Sequence, residues 1–170
     1  LEFSRQSGAV TGEANVNDIL ERTLFLIAHK LELQDVRLTK DFSPDIPVLN
    51  CDADQIQQAM LALLINAVEA MPEGGQLKVA TRLITDDKDH QVQIEIADTG
   101  VGIPAEVIDR LFEPFFTTKH DKKGVGLGLA VVYGIIRRHH GKIDVQSNVN
   151  EGTIFLISLP EHSEVEQELL

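Results

Sequence analysis

The spacing of apolar residues predicts a helix and two short strands in the first third of the chain. The helix begins near Asn15 or Asn17, either of which can cap it. One buried face is predicted from apolar residues at helical spacing, which are Leu20, Leu24, Ile27 and Leu31. Two strands follow at 35–42 and 47–51, separated by a turn signal at Ser43-Pro44-Asp45.

A second helix and a hairpin are predicted next. Asp54 and Gln57 have the spacing of a capping box, and Pro72 with the glycines behind it ends the helix. The core stripe of this helix consists of Ile56, Met60, Leu63 and Ala67. Strands at 76–85 and 91–98 then alternate apolar and polar residues, as the two arms of a hairpin do.

The last part of the chain combines an irregular stretch with a helix and two strands. Residues 99–125 show little periodicity apart from a short helical piece after Pro104, and a loop of this length is usually a functional lid or disordered. A third helix is predicted from about Gly126 to His140, with Gly141 as its C-cap. Two strands close the domain, at 142–149 and 153–160.

This order of elements predicts an α+β domain. Three helices stacked on one face of a mixed, mostly antiparallel sheet form the simplest two-layer α/β sandwich, with residues 99–125 as a long lid. The domain is expected to span residues 15–160. Residues 1–14 are predicted to be a linker or the end of a preceding element, and residues 161–170 a loose acidic tail.

Composition and charge narrow the functional classes. The chain has 170 residues, which suits one domain, and a net charge of −12, which argues against non-specific binding to nucleic acid. No apolar run approaches the roughly 18 residues that a membrane span needs, so no membrane contact is expected from this fragment. The single cysteine, Cys51, excludes an internal disulfide and mildly favours a reducing compartment.

One face of the second helix is unusual because small residues line it. Ala59, Ala62 and Ala70 fall at helical spacing together with one amide, Asn66. Close packing against the sheet, with the Asn66 amide bonded to backbone, would explain this face. The other explanation is a cleft floor that offers one oxygen to a hard cation such as Mg²⁺.

The strand at 91–98 ends on a carboxylate in phase with its apolar row. Burial of the Asp98 carboxylate is unfavourable unless it has a partner. Gly100 and Gly102 follow closely and allow the backbone to approach a ligand. A carboxylate that only accepts hydrogen bonds suits a ligand amino group, such as that of adenine. The alternative is a turn carboxylate that accepts hydrogen bonds from local amides.

Two further motifs precede or open the third helix. The run Gly124-Val125-Gly126-Leu127-Gly128 would expose amides that attract phosphate, although it has neither the P-loop nor the dinucleotide spacing. Three phenylalanines, Phe112, Phe115 and Phe116, cluster just before Thr117, Thr118 and Lys119, which could reach phosphate oxygens. The aromatic cluster indicates either a loop packed by its own side chains or a surface that docks on a partner.

Together these motifs resemble the ATPase superfamily shared by histidine kinases, DNA gyrase, mismatch-repair ATPases and a heat-shock chaperone. The resemblance covers about residues 15–160. Five motifs carry it in order: LLINAVEAM around Asn66, DTGVGI from Asp98, LFEPFFTTK from Leu111, GVGLGLAV from Gly124, and Glu151-Gly152-Thr153. The phenylalanine-rich motif with GxGLGL is similar to that of the sensor histidine kinase branch. Residues 1–5 also look like the end of the dimerisation hairpin that precedes this domain in such kinases.

The resemblance implies an ATP-binding kinase domain that transfers the γ-phosphoryl group to a histidine on a separate helical hairpin, which this chain does not contain. Asn66 would then coordinate Mg²⁺, Asp98 would accept a hydrogen bond from adenine, and Lys119 would approach the terminal phosphate when the lid closes over ATP. The remaining nucleotide contacts implied are Gly100, Gly102, Ile103, Thr118, Gly124, Gly126, Leu127, Gly128 and Thr153.

The resemblance also implies partners, a location and two departures from the pattern. The partners are the hairpin of the same parent protein and a downstream response regulator, and the location is cytoplasmic, with any membrane anchor elsewhere in the parent. Ala62 stands where hydrolytic relatives carry a glutamate that activates water, which disfavours hydrolysis. Glu69 stands where many relatives carry a basic residue. The alternatives are a serine protein kinase of the anti-sigma type and a non-catalytic, nucleotide-gated binding module.

Overall fold

The computed structural model describes residues 11–87, 89–114 and 128–161. Among these residues the larger sheet has five strands in the order β2-β4-β5-β7-β6. The strands are β2 (Val36–Phe42), β4 (Gly75–Asp86), β5 (Asp89–Asp98), β6 (Lys142–Asn148) and β7 (Gly152–Pro160). β2 pairs with β4 in parallel, and the other neighbouring strands pair antiparallel. The predicted mixed, mostly antiparallel sheet is confirmed.

A helix layer covers the sheet. Its members are α1 (Val16–Leu33), α2 (Ala53–Glu69) and α4 (Gly128–Arg138), and α2 contacts both of the others. The predicted short helical piece after Pro104 is α3 (Ala105–Ile108). Side chains such as Ile56, Met60 and Ile94 are fully buried between the layers. Burial of each such side chain stabilises the fold by about 1.5–3 kcal/mol. Among the described residues, no helix is both long and apolar enough to cross a membrane.

The ends of α1 are held by side chains that the local sequence supplies. The Asn15 side chain caps the start of α1 by accepting hydrogen bonds from the backbone of Asn17 and Asp18, which confirms one of the two predicted caps. At the other end, the Gln34 side chain donates to the carbonyl oxygens of Val68 and Met71, at 2.8 and 3.1 Å. These carbonyls lie at the end of α2, where they also accept hydrogen bonds from the backbone N–H groups of Met71 and Gly74, and the added contacts from Gln34 join the two helices there.

The predicted capping box at Asp54 and Gln57 is wrong. Asp52 caps α2, since its side chain accepts a hydrogen bond from the backbone of Gln55 at 3.1 Å. The helix therefore begins at Ala53, directly after a strand. Asp54 lies instead in the first turn, where a negative charge favours the helix dipole.

The predicted C-cap at Gly141 is also wrong by one residue, and the third helix ends at Arg138 rather than at the predicted His140. His140 takes the left-handed conformation, with φ of 57°. Its N–H donates to Arg137, and the N–H of Gly141 donates to Ile136, which is the Schellman pattern. Glycine is still needed at 141, because a Cβ there would lie 2.6 Å from the carbonyl oxygen of Ser158.

A second, two-stranded sheet was not predicted. The strand β3 (Leu49–Cys51) pairs antiparallel with β1 (Gly12–Ala14) rather than with the strand at 36–42. The prediction of a linker is therefore wrong for residues 12–14. A strand of three residues is too short to show the period of two that identifies longer strands.

His139 joins the end of α4 to the start of α2. Its ring is buried; Nδ1 lies 2.8 Å from the carbonyl oxygen of Ile135, and Nε2 accepts a hydrogen bond from the backbone N–H of Asp52 at 3.1 Å. Both contacts are satisfied by the neutral ring with its proton on Nδ1. The two helices are thereby fixed relative to each other at one end of the layer.

Candidate active site

The buried face of the sheet changes from apolar to polar at one end. Three residues that lie side by side across β5, β7 and β6 form a polar row, which consists of Asp98, Thr153 and Ser147, and Leu77 on β4 lies beside Asp98 at its end. The adjacent row on the same face is apolar throughout, with Val79, Ile96, Phe155 and Val145. Asp98 and Thr153 are only 8% and 4% exposed. Polar groups at such positions need partners, so this end of the sheet is the candidate site.

Asp98 accepts hydrogen bonds from local amides and still has unused acceptor capacity. The N–H of Gly100 donates to Oδ1 at 2.8 Å. Burial raises the pKa of the Asp98 carboxyl, and backbone hydrogen bonds from Gly100 and Thr153 offset this only in part. An ionised carboxylate has about four acceptor positions. The local-amide explanation and the ligand explanation are therefore compatible.

The raised pKa of Asp98 predicts a specific pH dependence of stability. The folded state binds this proton more tightly than the unfolded state, so the stabilisation is present below the ordinary pKa of aspartate and is lost as pH rises through the raised pKa. At neutral pH the ionised carboxylate therefore opposes folding. We expect Asp98→Asn to leave the free energy of unfolding of the ligand-free domain unchanged or higher at pH 7. Urea denaturation at several pH values measures this, and a variant clearly less stable at pH 7 would contradict it.

The loop after Asp98 is fastened to the end of α2 that carries Asn66. The N–H of Val101 donates to the carbonyl oxygen of Ala70 at 3.0 Å, and a Cβ on Gly100 would overlap that same oxygen. Ala70 follows Asn66 by one helical turn and accompanies it on the small-residue face; its N–H donates to the Asn66 carbonyl at 3.1 Å. Both Asn66 and Ala62 are half-buried. The predicted metal ligand and the predicted purine ligand thus lie at the same end of the domain.

The same loop is also fastened to the turn between β6 and β7. Gly102 has φ of +74°, and a Cβ there would overlap the carbonyl oxygen of Asn148. The N–H of Asn150 donates to the carbonyl oxygen of Val101 at 2.8 Å. Gly152 approaches the backbone of Asp98 in the same way, with φ of +115°. Glycine is needed at positions 102 and 152 because each combines a left-handed backbone conformation with close contact to neighbouring backbone atoms.

Substitution of Gly100 tests whether this close approach is required. Gly100→Ala is expected to lower the free energy of unfolding by about 1–3 kcal/mol, because the new methyl group must displace the end of α2. Gly134→Ala in α4 is the matched control, since a Cβ there meets nothing within 4 Å and alanine favours the helix by roughly 0.5–1 kcal/mol. Chemical denaturation compares the two variants. Equal stability of both would contradict the close packing of loop and helix.

Ser147 connects three parts of the site, although the sequence does not single it out. Its Oγ accepts a hydrogen bond from the N–H of Ile103 at 2.7 Å, and lies 2.9 Å from the carbonyl oxygen of Gly152 and 2.8 Å from Oγ1 of Thr153. Ile103 and Thr153 are both predicted site residues. A signal was present in the strand pattern, because Ser147 follows Ile143 and Val145 in period two, as Asp98 follows its own apolar row.

The start of the lid packs against α4. The rings of Phe112 and Tyr133 stack with centroids 5.4 Å apart, and the guanidinium of Arg137 lies 5.9 Å from the Tyr133 ring. Phe112 therefore lies against α4 at the start of the predicted lid segment. Gly128 is the first residue of α4, with open space where a Cβ would lie. The other predicted lid and phosphate contacts lie outside the described residues: Phe115, Phe116, Thr117, Thr118, Lys119, Gly124, Gly126 and Leu127.

Metal-binding side chains do not cluster in the described part of the chain. Among these residues there is no group of three or more His, Cys, Asp or Glu side chains that could hold a metal ion.

A cavity of about 420 Å³ lies away from the candidate site, lined by Glu21, Arg22, Phe25, Leu26 and Gln57. None of the predicted site residues that the structure describes borders that cavity, and Phe25 is 82% exposed, so the cavity is an open surface feature between α1 and α2.

The chain matches a family model. The model for histidine kinase-, DNA gyrase B-, and HSP90-like ATPases matches residues 51–163. This segment contains α2, the polar row and α4.

Relatives with similar sequences are kinases. The chain is 40% identical to the sensor kinase CckA of Brucella abortus (strain 2308) over 94% of this chain and 18% of CckA. It is 39% identical to sporulation kinase E of Bacillus subtilis (strain 168) over 98% of this chain and 22% of that kinase. The chain therefore spans only about a fifth of the length of these relatives.

Solved structures with the same fold are histidine kinase domains. The nucleotide-free catalytic domain of histidine kinase ThkA superimposes with a TM-score of 0.78 at 27% identity, over 89% of this chain and 95% of that chain. ThkA in complex with the response regulator protein TrrA superimposes with a TM-score of 0.73 at 27% identity, over 89% of this chain and 42% of that chain.

Proposed function

This chain belongs to the family of histidine kinase-, DNA gyrase B-, and HSP90-like ATPases, and from that premise we propose that it transfers the γ-phosphoryl group of ATP to a histidine on a helical hairpin. One observation carries the proposal: Asp98 is buried in a polar row beside the helix end that carries Asn66. The similarity to sensor kinases across nearly the whole chain supports the histidine kinase branch.

Asp98 is the residue that recognises the purine base of ATP by hydrogen bonding. Its ionised carboxylate only accepts hydrogen bonds, and the amino group of adenine only donates them, so the two are complementary. The N–H of Gly100 holds Oδ1 in place before the nucleotide arrives. Gly100, Gly102 and Ile103 form the wall around it, and Thr153 supports the carboxylate from β7.

Asn66 would hold Mg²⁺ through its side-chain amide oxygen. This donor set fits magnesium, which commonly binds through one or two protein oxygens and completes its shell with phosphate oxygens and water. A magnesium ion held there would supply positive charge against the phosphate oxygens.

The lid and the start of α4 hold the phosphates. We assign phosphate binding to the backbone amides of Gly124, Gly126, Leu127 and Gly128, and to Thr118 and Lys119, because the sequence motif that carries them opens a helix. Phe112 contributes by stacking on Tyr133 of α4. Ala62 offers no proton acceptor one turn before Asn66, which disfavours activation of water from that position and favours transfer to another nucleophile.

The partners follow from the same proposal. The phosphoryl acceptor is the histidine hairpin of the parent protein, and the downstream partner is a response regulator, the class of protein with which ThkA was crystallised. We place the domain on the cytoplasmic side of the cell, where both would be found.

The test supplies a histidine-bearing hairpin as a separate polypeptide with Mg²⁺ and ATP labelled on the γ-phosphate. Transfer to histidine gives a bond that acid breaks and alkali leaves intact, whereas transfer to serine gives an acid-stable bond. An acid-stable product would favour the serine kinase of the anti-sigma type. Calorimetric binding of ATP without transfer to any hairpin would favour the nucleotide-gated binding module.

A further inference from the structure

The Ser147 hydroxyl makes three contacts that together fix where its proton lies. The Ile103 N–H can only donate to it, and the Gly152 carbonyl oxygen can only accept from it. The third contact, with Oγ1 of Thr153 at 2.8 Å, allows either hydroxyl to be the donor. Ser147 has a single hydrogen. All three contacts are satisfied at once only when that hydrogen points to Gly152 and the Thr153 hydroxyl donates to Ser147.

This proton arrangement determines whether the Thr153 hydroxyl acts as a hydrogen-bond donor or as an acceptor toward the rest of the site. Its hydrogen is committed to Ser147, so the remaining surface of Oγ1 consists of acceptor lone pairs. Thr153 is 4% exposed and lies directly beside Asp98 in the sheet, and the Asp98 carboxylate is itself an acceptor. The two adjacent side chains therefore form a wall that accepts hydrogen bonds and donates none.

We propose that Ser147 is a specificity-determining positioning residue, which holds the Thr153 hydroxyl as an acceptor and thereby makes the site select adenine over guanine nucleotides. The inference rests on the proposed function, because it takes Asp98 as the residue that reads the purine. Adenine presents a donor amino group at the position where guanine presents a carbonyl oxygen. A wall of acceptors binds the amino group of adenine and repels the carbonyl oxygen of guanine.

Ser147→Ala tests this in the whole chain. Without Ser147, the Thr153 hydroxyl can rotate and donate to a guanine oxygen. The ratio of the dissociation constants for GTP and ATP, measured by calorimetry with Mg²⁺, is therefore expected to fall about three- to tenfold. Ser147→Thr keeps a hydroxyl and should restore the wild-type ratio. Ser147→Cys fills the same space with a weak donor and acceptor, so it should give an intermediate ratio even if the alanine variant folds poorly.

A double mutant separates this role from a merely structural one. Ser147 also holds the Ile103 amide, so its loss can weaken binding of both nucleotides equally. In a Thr153→Val background there is no hydroxyl to direct, so adding Ser147→Ala should leave the ratio unchanged. An equal loss of ATP and GTP affinity in Ser147→Ala, or the same change of ratio in both backgrounds, would overturn the inference alone. A wild-type chain that binds no ATP would overturn the proposed function as well.

Discussion

Asp98→Asn is expected to lower the affinity for ATP by at least about 10-fold and up to about 150-fold, the range that corresponds to a hydrogen bond with a charged group. The asparagine oxygen can still accept from the N–H of Gly100, as Oδ1 of Asp98 does at 2.8 Å. Its amide nitrogen then faces the purine amino group, and two donors oppose each other where an acceptor and a donor had met. Calorimetric titration with Mg²⁺ and ATP measures the change.

Asp144→Asn is the matched control for this change in charge. Asp144 is exposed on β6, so the substitution removes one negative charge without touching the polar row. Its ATP affinity should equal that of the unmodified chain. If Asp98→Asn binds ATP within threefold of the control while remaining folded, Asp98 is not the adenine ligand. Burial raises the pKa of this carboxyl, so the ligand-free Asp98→Asn variant is expected to be at least as stable as the original at pH 7. If that is observed, a loss of ATP affinity cannot be ascribed to unfolding.

The features that could be predicted from the sequence are those that one element specifies alone. Period two along β5 places Asp98 on the buried face, and the structure confirms this at 8% exposure. The apolar stripe of α2 is likewise buried, with Ile56, Met60 and Leu63 at 0% exposure. Such patterns depend only on the repeat of the element and on which face meets the core.

The predictions that were wrong, and the role of Ser147 that was missed, depend on contacts between residues far apart in the chain. The start of α2 is set by where β3 ends, and β3 exists because residues 12–14 pair with it. His140 rather than Gly141 takes the left-handed position because Gly141 must lie against the backbone of Ser158. The role of Ser147 likewise requires contacts with Thr153 on β7 and with Ile103 in the loop after β5. No local pattern contains these contacts.

The second large effect is expected at Asn66. Asn66→Ala should reduce phosphoryl transfer on the order of 100-fold, the usual result of removing one group that stabilises transition-state charge. Alanine is a good helix former and already occupies positions 62 and 70 on the same face, so α2 should persist. Binding of ATP in the presence of a chelator should change little, because Asp98 and its loop are untouched. Only the gain in affinity caused by Mg²⁺ should disappear.

Two further variants decide whether the effect belongs to the metal. Asn66→Asp retains an oxygen ligand and is expected to keep more transfer activity than Asn66→Ala, with an altered preference between Mg²⁺ and Mn²⁺. Gln58→Ala removes another amide from an exposed position of α2 and should leave transfer unchanged. Transfer by Asn66→Ala within threefold of the Gln58→Ala rate would remove Asn66 from the mechanism. If all ATP binding were lost even with chelator present, the role of Asn66 would lie in shaping the site rather than in holding the metal.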